Sequence, residues 1–193
     1  MGLPLQPDLH PAPPWWWRIV TLLVLTLAVL VTAILAGPQR APAVVVGVDG
    51  DAVPYAVVAT ERIRSARIRL DLVMFAAWMD GDQPHPLAVE LAAAARRGVA
   101  VRVCLDFDRK DQDDRNAPLA TWMAEHGITV IRDEPDRRTH AKVLVCDRRW
   151  VLLGSHNWTR TGVHANRELA VLLDDPDKAA EILAWCARIP GWK

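Results

Sequence analysis

From Ile19 to Ala36 the chain carries no charged side chain, and threonine is the only polar type it contains. Such a run does not suit the surface of a soluble domain, where an amphipathic helix needs one polar face. Its length approaches the ~20 apolar residues with which a helix crosses the hydrocarbon of a bilayer. Trp15, Trp16, Trp17 and Arg18 come just before it. Indole rings favour the headgroup zone, so the tryptophans suit one membrane boundary. Gly37-Pro38 then supplies helix-breaking chemistry. Residues 15–36 are therefore expected to form a transmembrane helix. The alternative is a cleaved secretory signal, with Ala41-Pro42-Ala43 as a small-residue site; the apolar core is long for a signal, and the region before it is not clearly basic.

Residues 1–14 hold Pro4, Pro7, Pro11, Pro13 and Pro14 and little apolar surface to bury, which points to a disordered tail. Residues 37–42 read as a linker. Arg18 and Arg40 flank the apolar run on its two sides, so the positive-inside rule barely discriminates between orientations. A short tail that stays inside would put the rest of the chain outside the cytoplasm.

Residues 43–193 have a different texture. Valines at 44, 45, 46 and 48 mark a first strand, and Tyr55 to Ser65 reads as a helix with Val57, Val58 and Ile63 on its apolar face. Ile68 to Phe75 follows as a strand, and Leu87 to Arg97 as an alanine-rich helix stopped by Gly98. Val99 to Leu105 is a near-continuous apolar run, the pattern of a strand buried on both faces. A helix over Leu119 to His126, stopped by Gly127, leads to a short strand at Ile128 to Ile131. Ala141 to Cys146 and Trp150 to Leu153 are strands joined by Asp147-Arg148-Arg149. Leu169 to Leu173 is another, and Pro176 to Arg188 is a closing helix with Ile182, Leu183 and Trp185 available for packing. Alternating helices and strands predict an α/β domain, with a mixed, mostly parallel sheet flanked by helices.

Composition narrows the chemistry. Lys plus Arg and Asp plus Glu are 23 each, so no global basic signal marks a nucleic-acid binder. Cys104, Cys146 and Cys186 are odd in number and widely spaced, which fits neither a disulfide framework nor a zinc site; they read as buried small hydrophobes. The aspartate-rich loop Asp106 to Arg115 raises calcium. Lys110 and Asp111, however, stand where an EF-hand needs a ligand and the turn glycine, so a solvated loop is expected. No metal site and no cofactor is expected.

The informative stretch is Thr139 to Leu173. His140 and Lys142 are two apart in a strand and so project to one face. Imidazole serves as nucleophile or proton donor, and an ammonium offers a compact charge for a phosphate. Downstream, Gly154 lets the chain turn tightly, Ser155 and Asn157 offer neutral donors, and Asn166-Arg167-Glu168 opens the next strand. Glu168 is positioned to accept a hydrogen bond from one imidazole nitrogen and fix which nitrogen attacks. Together these groups suit a phosphodiester passing through a negatively charged transition state. A His-x-Lys pair alone carries almost no information; its combination with Gly-Ser-x-Asn and Asn-x-Glu does.

That combination resembles the phospholipase D superfamily, whose hallmark is His-x-Lys-x(4)-Asp followed by Gly-Ser-x-Asn. The match takes in His140, Lys142, Asp147, Gly154, Ser155 and Asn157 in order, with the family's later carboxylate at Glu168. It looks most like the small single-motif members, among them the Nuc-type endonucleases and the mitochondrial cardiolipin hydrolase group. The resemblance implies a phospholipase D-like catalytic domain over 43–193. It also implies a homodimer with a shared site, a phosphohistidine on His140, proton transfer by the partner's copy, and no metal. His140, Lys142, Ser155, Asn157 and Glu168 are then the expected catalytic set. Asp147 falls at a turn, so it and Gly154 are expected to be structural. His156, Trp158 and Arg138 are candidates for touching substrate; Trp158 either stacks a base or packs beneath the site.

Arg132, Arg137, Arg138, Arg148, Arg149, Arg160 and Arg167 surround the motif in sequence and would make a basic rim if they converge. On that ground an endonuclease acting on nucleic acid leads. A phospholipase D acting on lipids of the anchoring membrane is the alternative, and a non-catalytic, membrane-anchored binding module is the reading from another class.

Overall fold

The computed structural model describes residues 14–35, 43–47, 53–107, 114–134 and 136–192, with backbone alone for 32–35 and 53. The chain divides into two units, Met1–Arg40 and Ala41–Lys193. The first contains helix α1, Trp15–Leu35, 21 residues long. Its described side chains are all exposed. Thr21 and Thr26 donate their hydroxyls to the carbonyls of Trp17 and Leu22, each at 2.8 Å, so these polar groups are satisfied within the helix. Among the described residues no helix is long and apolar enough to cross a membrane, the last turn of α1 lying beyond the described side chains. The expected tail (all but Pro14), the 37–42 linker and residues 108–113 of the aspartate-rich loop lie outside the described residues.

The second unit runs β1 (Ala43–Gly47), β2 (Val53–Pro54), α2 (Tyr55–Ser65), β3 (Arg69–Met74), α3 (Pro86–Arg96), β4 (Ala100–Leu105), α4 (Ala117–Glu125) and β5 (Thr129–Arg132). Then come β6 (Lys142–Cys146), β7 (Trp150–Gly154), α5 (Arg160–His164), β8 (Leu169–Asp174) and α6 (Pro176–Cys186). The strands form one sheet in the order β2-β1-β8-β7-β6-β3-β4-β5. Sequence patterns locate the longer elements; the two-residue β2 and the five-residue α5 are too short to leave a periodicity.

The sheet is mixed, but the expectation that it is mostly parallel is corrected. Parallel pairing holds for β1–β2, β3–β4 and β4–β5, whereas β3–β6, β6–β7, β7–β8 and β1–β8 are antiparallel. The parallel neighbours β3–β4 and β4–β5 are joined by crossovers through α3 and α4. Beyond β5 no helix long enough to cross the sheet separates the strands. β6 and β7 meet through a tight turn in which Asp147 and Arg148 both take positive φ.

Side-chain alternation sorts the strands onto two cores. Leu70, Leu72, Met74, Val103, Leu105, Leu144 and Leu152 face Ile63, Leu91, Leu119 and Met123 of the α2–α4 layer. Val73, Cys104, Val143, Val145 and Val151 face Ala179 and Cys186 of α6, with Ile189 and Trp192 behind. All three cysteines are buried, and burial holds each thiol above its ordinary pKa. Gly98 and Gly127, at φ +89° and +81°, close α3 and α4 as their positions predict. Two packing expectations fail. Val57 is 48 % exposed and Trp185 41 % exposed, each having turned out of its helix's apolar stripe.

Candidate active site

The site lies where β6 begins and β7 ends. The β3–β6 register pairs Met74 with Lys142. That places Phe75, next after β3, beside His140, with ring centroids 4.2 Å apart and planes inclined by 49°. The Phe75 N–H donates to the Ala141 carbonyl at 3.0 Å. As alternation requires, Lys142 shares the imidazole's side of the strand. Its Nζ stands 3.1 Å from His140 Nδ1 and 3.3 Å from Nε2, and donates to the His140 carbonyl at 3.0 Å. Lys142 is a buried cation. Burial pulls its pKa below the ordinary lysine value, with Glu168 and Asp106 opposing.

Gly154 ends β7 against β8. A Cβ there would lie 2.4 Å from Ala170 Cβ and from the Leu169 carbonyl, so the close approach of two strands, more than a turn, demands glycine. Ser155 is fastened to the same strand. Its N–H donates to the Leu169 carbonyl at 3.0 Å, and its Oγ accepts from the Leu169 N–H at 3.1 Å. The hydroxyl therefore holds the start of β8, next to Glu168. Asn157 Oδ1 is buried without a hydrogen-bond partner among the described residues. Glu168 accepts from Asn166 Nδ2 at 3.1 Å in place of the expected bond to the imidazole.

Six of the sequence-expected residues, His140, Lys142, Gly154, Ser155, Asn157 and Glu168, line one open cleft of about 430 Å³. Asp147 sits at the other end of β6. Its carboxylate accepts from the N–H groups of Arg67, Ile68 and Arg69 at 2.9, 2.8 and 2.9 Å, so it secures the entry to β3. Burial pushes its pKa up, but these backbone donors outweigh that and leave the carboxyl below its ordinary value.

The substrate-contact expectations for His156 and Trp158 are corrected. Past Gly154 the chain alternates: Ser155 and Asn157 face the cleft, whereas His156 and Trp158 turn into the core and are wholly buried. His156 stacks on Tyr55 at 4.1 Å, and Trp158 donates its indole N–H to the Tyr55 hydroxyl at 3.0 Å. Neither can stack on a base. Arg138 stays near the site, its Nη1 3.4 Å from Asp106 Oδ2 and its guanidinium 5.8 Å from the Phe75 ring centre. The basic rim does not assemble from all its expected members. Arg148 and Arg149 follow five-residue β6, which at ~3.4 Å per residue carries them to the far end of the sheet, where Arg149 pairs with Asp174.

Three residues at the site's back escape sequence reasoning: Phe75, Asp106 and Asn116. For the first two a signal existed. Each directly follows a buried parallel strand, and carboxyl ends of such strands are where α/β sheets place their sites. Asn116 sits beyond an unpatterned loop and gave none. Among the described residues no group of three or more His, Cys, Asp or Glu is placed to hold a metal ion.

A mixed sheet carrying a His-x-Lys strand and a Gly-Ser-x-Asn loop on one cleft defines a phospholipase D-like domain. Residues 59–189 match the family described as cardiolipin synthase, PLD-like domain. The chain belongs to that family, within the phospholipase D superfamily.

Among curated proteins it is similar to the mitochondrial cardiolipin hydrolase of Chlamydomonas reinhardtii, 33% identical over 112 residues, which are 58% of this chain and 47% of the relative. The Homo sapiens protein of the same name is 31% identical over 113 residues, 58% of this chain and 42% of the relative. The matched stretch thus spans less than half the length of these relatives. Among solved structures, the phospholipase D family member Nuc from Salmonella typhimurium superposes with a TM-score of 0.65 at 24% identity, covering 77% of this chain and 94% of that one. NucT from Helicobacter pylori gives 0.61 at 16% identity, covering 78% and 96%. At these identities the structures attest the fold.

Proposed function

We propose that this chain hydrolyses phosphodiester bonds of membrane phospholipids, with His140 as nucleophile. The observation that carries the reading is the convergence of His140, Lys142, Asn157 and Glu168 from three strand ends on one open cleft. An imidazole nitrogen attacks phosphorus, the P–O bond to the leaving alkoxide breaks, and a phosphohistidine forms. Lys142 and Asn157 stabilise the charge that builds on the non-bridging oxygens. Water then attacks the phosphohistidine, releasing His140 and the second product.

The leaving alkoxide needs a proton, and the attacking water must lose one. A single imidazole cannot be nucleophile and acid at once, so a second subunit's His140 supplies both transfers. An exposed apolar row supports that second copy. Val45, Val171 and Leu153 lie side by side across β1, β8 and β7, with Leu169 next to them. Val45, Leu153 and Leu169 are 57 %, 45 % and 59 % exposed, a patch that α6 leaves uncovered.

Three observations favour lipid over the nucleic-acid reading that the sequence put first. At 1.5 Å per residue α1 is about 32 Å long, close to the thickness of a bilayer's hydrocarbon, and it serves in this proposal as the anchor, with the catalytic domain outside the cytoplasm. The curated relatives are named for cardiolipin hydrolysis. The departure of Arg148 and Arg149 removes part of the basic rim. Nucleic acid remains the second reading, because Arg138 still stands beside Phe75 at the cleft.

Full-length chain in detergent, given cardiolipin vesicles and single-stranded DNA or RNA in separate reactions, is expected to cleave the lipid. The variant His140→Ala should cleave nothing while melting as wild type does. Light scattering on the active preparation should give twice the chain's mass. Cleavage of nucleic acid alone reverses the substrate assignment, activity in His140→Ala ends the nucleophile assignment, and an active monomer ends the shared site.

A further inference from the structure

We propose that Asp106 and Asn116 are positioning residues for His140, a role that rests on the reading of His140 as nucleophile. The backbones of the residues on both sides of the histidine, Thr139 and Ala141, are held from the ends of two other strands. On one side, Asp106 Oδ1 accepts the Thr139 N–H at 2.9 Å. On the other, the Phe75 N–H donates to the Ala141 carbonyl at 3.0 Å, while the Phe75 ring packs on the imidazole at 4.2 Å.

Asn116 ties these two grips together. Its Nδ2 donates to the Phe75 carbonyl at 2.9 Å and to the Asp106 carbonyl at 2.8 Å. Its Oδ1 accepts the Ala77 N–H at 2.9 Å. Both side chains are buried. One amide thus fixes the spacing between the chain leaving β3 and the chain leaving β4, and those two segments fix the backbone that carries the nucleophile.

His140 itself stands just before β6, outside the strand's ladder. Within β6 the ring meets Lys142 Nζ, at 3.1 Å from Nδ1 and 3.3 Å from Nε2, but that group sits at the end of a flexible stem, and Glu168, the carboxylate expected to orient the imidazole, is bonded to Asn166. The rigid part of the orientation comes from behind, through Phe75 and through the backbone of residues 139 and 141. An in-line attack on phosphorus tolerates little displacement of the attacking nitrogen. A fault in this backing should therefore slow the chemical step and leave substrate affinity nearly unchanged.

The test uses full-length chain in detergent with bis(p-nitrophenyl) phosphate, rates being counted per folded molecule from the thermal transition. Asp106→Ala is expected to lose about 100-fold in kcat, with KM within about threefold of wild type. Asp106→Asn keeps an Oδ1 acceptor for Thr139 and should return to within about threefold of the wild-type kcat. Asn116→Ala removes the tie between the two grips and leaves Asp106 and Phe75 in place; about a tenfold fall in kcat at unchanged KM is expected, and this variant decides the matter if Asp106→Ala does not fold. A wild-type kcat in Asp106→Ala or, failing its folding, in Asn116→Ala overturns the positioning role and leaves the nucleophile reading standing. So does an Asp106→Asn as slow as the alanine variant. A wild type as inert as His140→Ala overturns the nucleophile reading, and the positioning role with it.

Discussion

The two ends of strand β6 carry residues of the same sequence motif and are built on opposite principles. At the start of the strand, polar groups line an open cleft: Lys142 is a buried cation whose ammonium meets the ring and the carbonyl of His140, and Asn157 Oδ1 is buried without a partner among the described residues. At the far end the motif's carboxylate and one arginine of the turn are engaged. Asp147 accepts three backbone N–H groups, and Arg149 pairs with Asp174. Native proteins leave buried polar groups unsatisfied chiefly where a ligand or a reaction will complete them. On the proposed function the motif has one half for chemistry and one half for folding, although spacing alone makes them look alike.

The largest effect should come from removing Lys142. If the cleft end stores unfinished bonding for the transition state, Lys142→Ala lowers kcat by about three orders of magnitude. Its melting temperature should hold or rise, since a desolvated charge has been taken away. A variant that unfolded yet retained its rate per folded molecule would reverse the assignment of this end.

Asp147→Ala should give the mirror image. Three N–H groups lose a charged acceptor, which costs about 2 kcal/mol of stability, while kcat per folded molecule stays as it was. The sign of the pH dependence follows from the lowered carboxyl. Its contribution is present above the ordinary carboxylate value and lost as pH falls through the folded one, so the stability gap between wild type and variant should close below about pH 4. Denaturant melts across that range check it; a gap that widened in acid would break the comparison.

The same contrast explains what the sequence reveals. Strand and helix positions are legible because burial writes a period into β3, β4 and α3, and glycines 98 and 127 mark the stops. The six cleft residues are legible because they sit close together in sequence, within twenty-nine positions of one another. Phe75 and Asn116 reach the site only through the sheet order, which places β3 between β6 and β4, a long-range fact that no local pattern encodes. The sheet's antiparallel half is hidden for a related reason: a strand's side-chain period is the same whichever way its neighbour runs. His156 and Trp158 mislead because they share a loop with Ser155 and Asn157 while facing the opposite way.

That alternation yields the smallest and most selective prediction. His156 lies under the cleft, stacked on Tyr55, with both ring nitrogens lacking a hydrogen-bond partner among the described residues. Burial lowers its pKa, and the Glu168 carboxylate opposes this only in part. The unfolded chain therefore takes up a proton on His156 that the folded chain resists, so stability is lost as pH falls below about 6.5. His156→Phe keeps a flat ring against Tyr55 and leaves no orphaned nitrogen to desolvate. Between about pH 7.5 and about pH 5.5 its melting temperature should fall less steeply than that of wild type, with kcat unchanged at the upper pH. Burial also lowers the pKa of His85, to about 4, but this histidine is present in both proteins and cancels in the difference. Equal slopes in the two proteins would mean that His156 is not desolvated in solution. A fall in kcat with equal slopes would return His156 to the cleft.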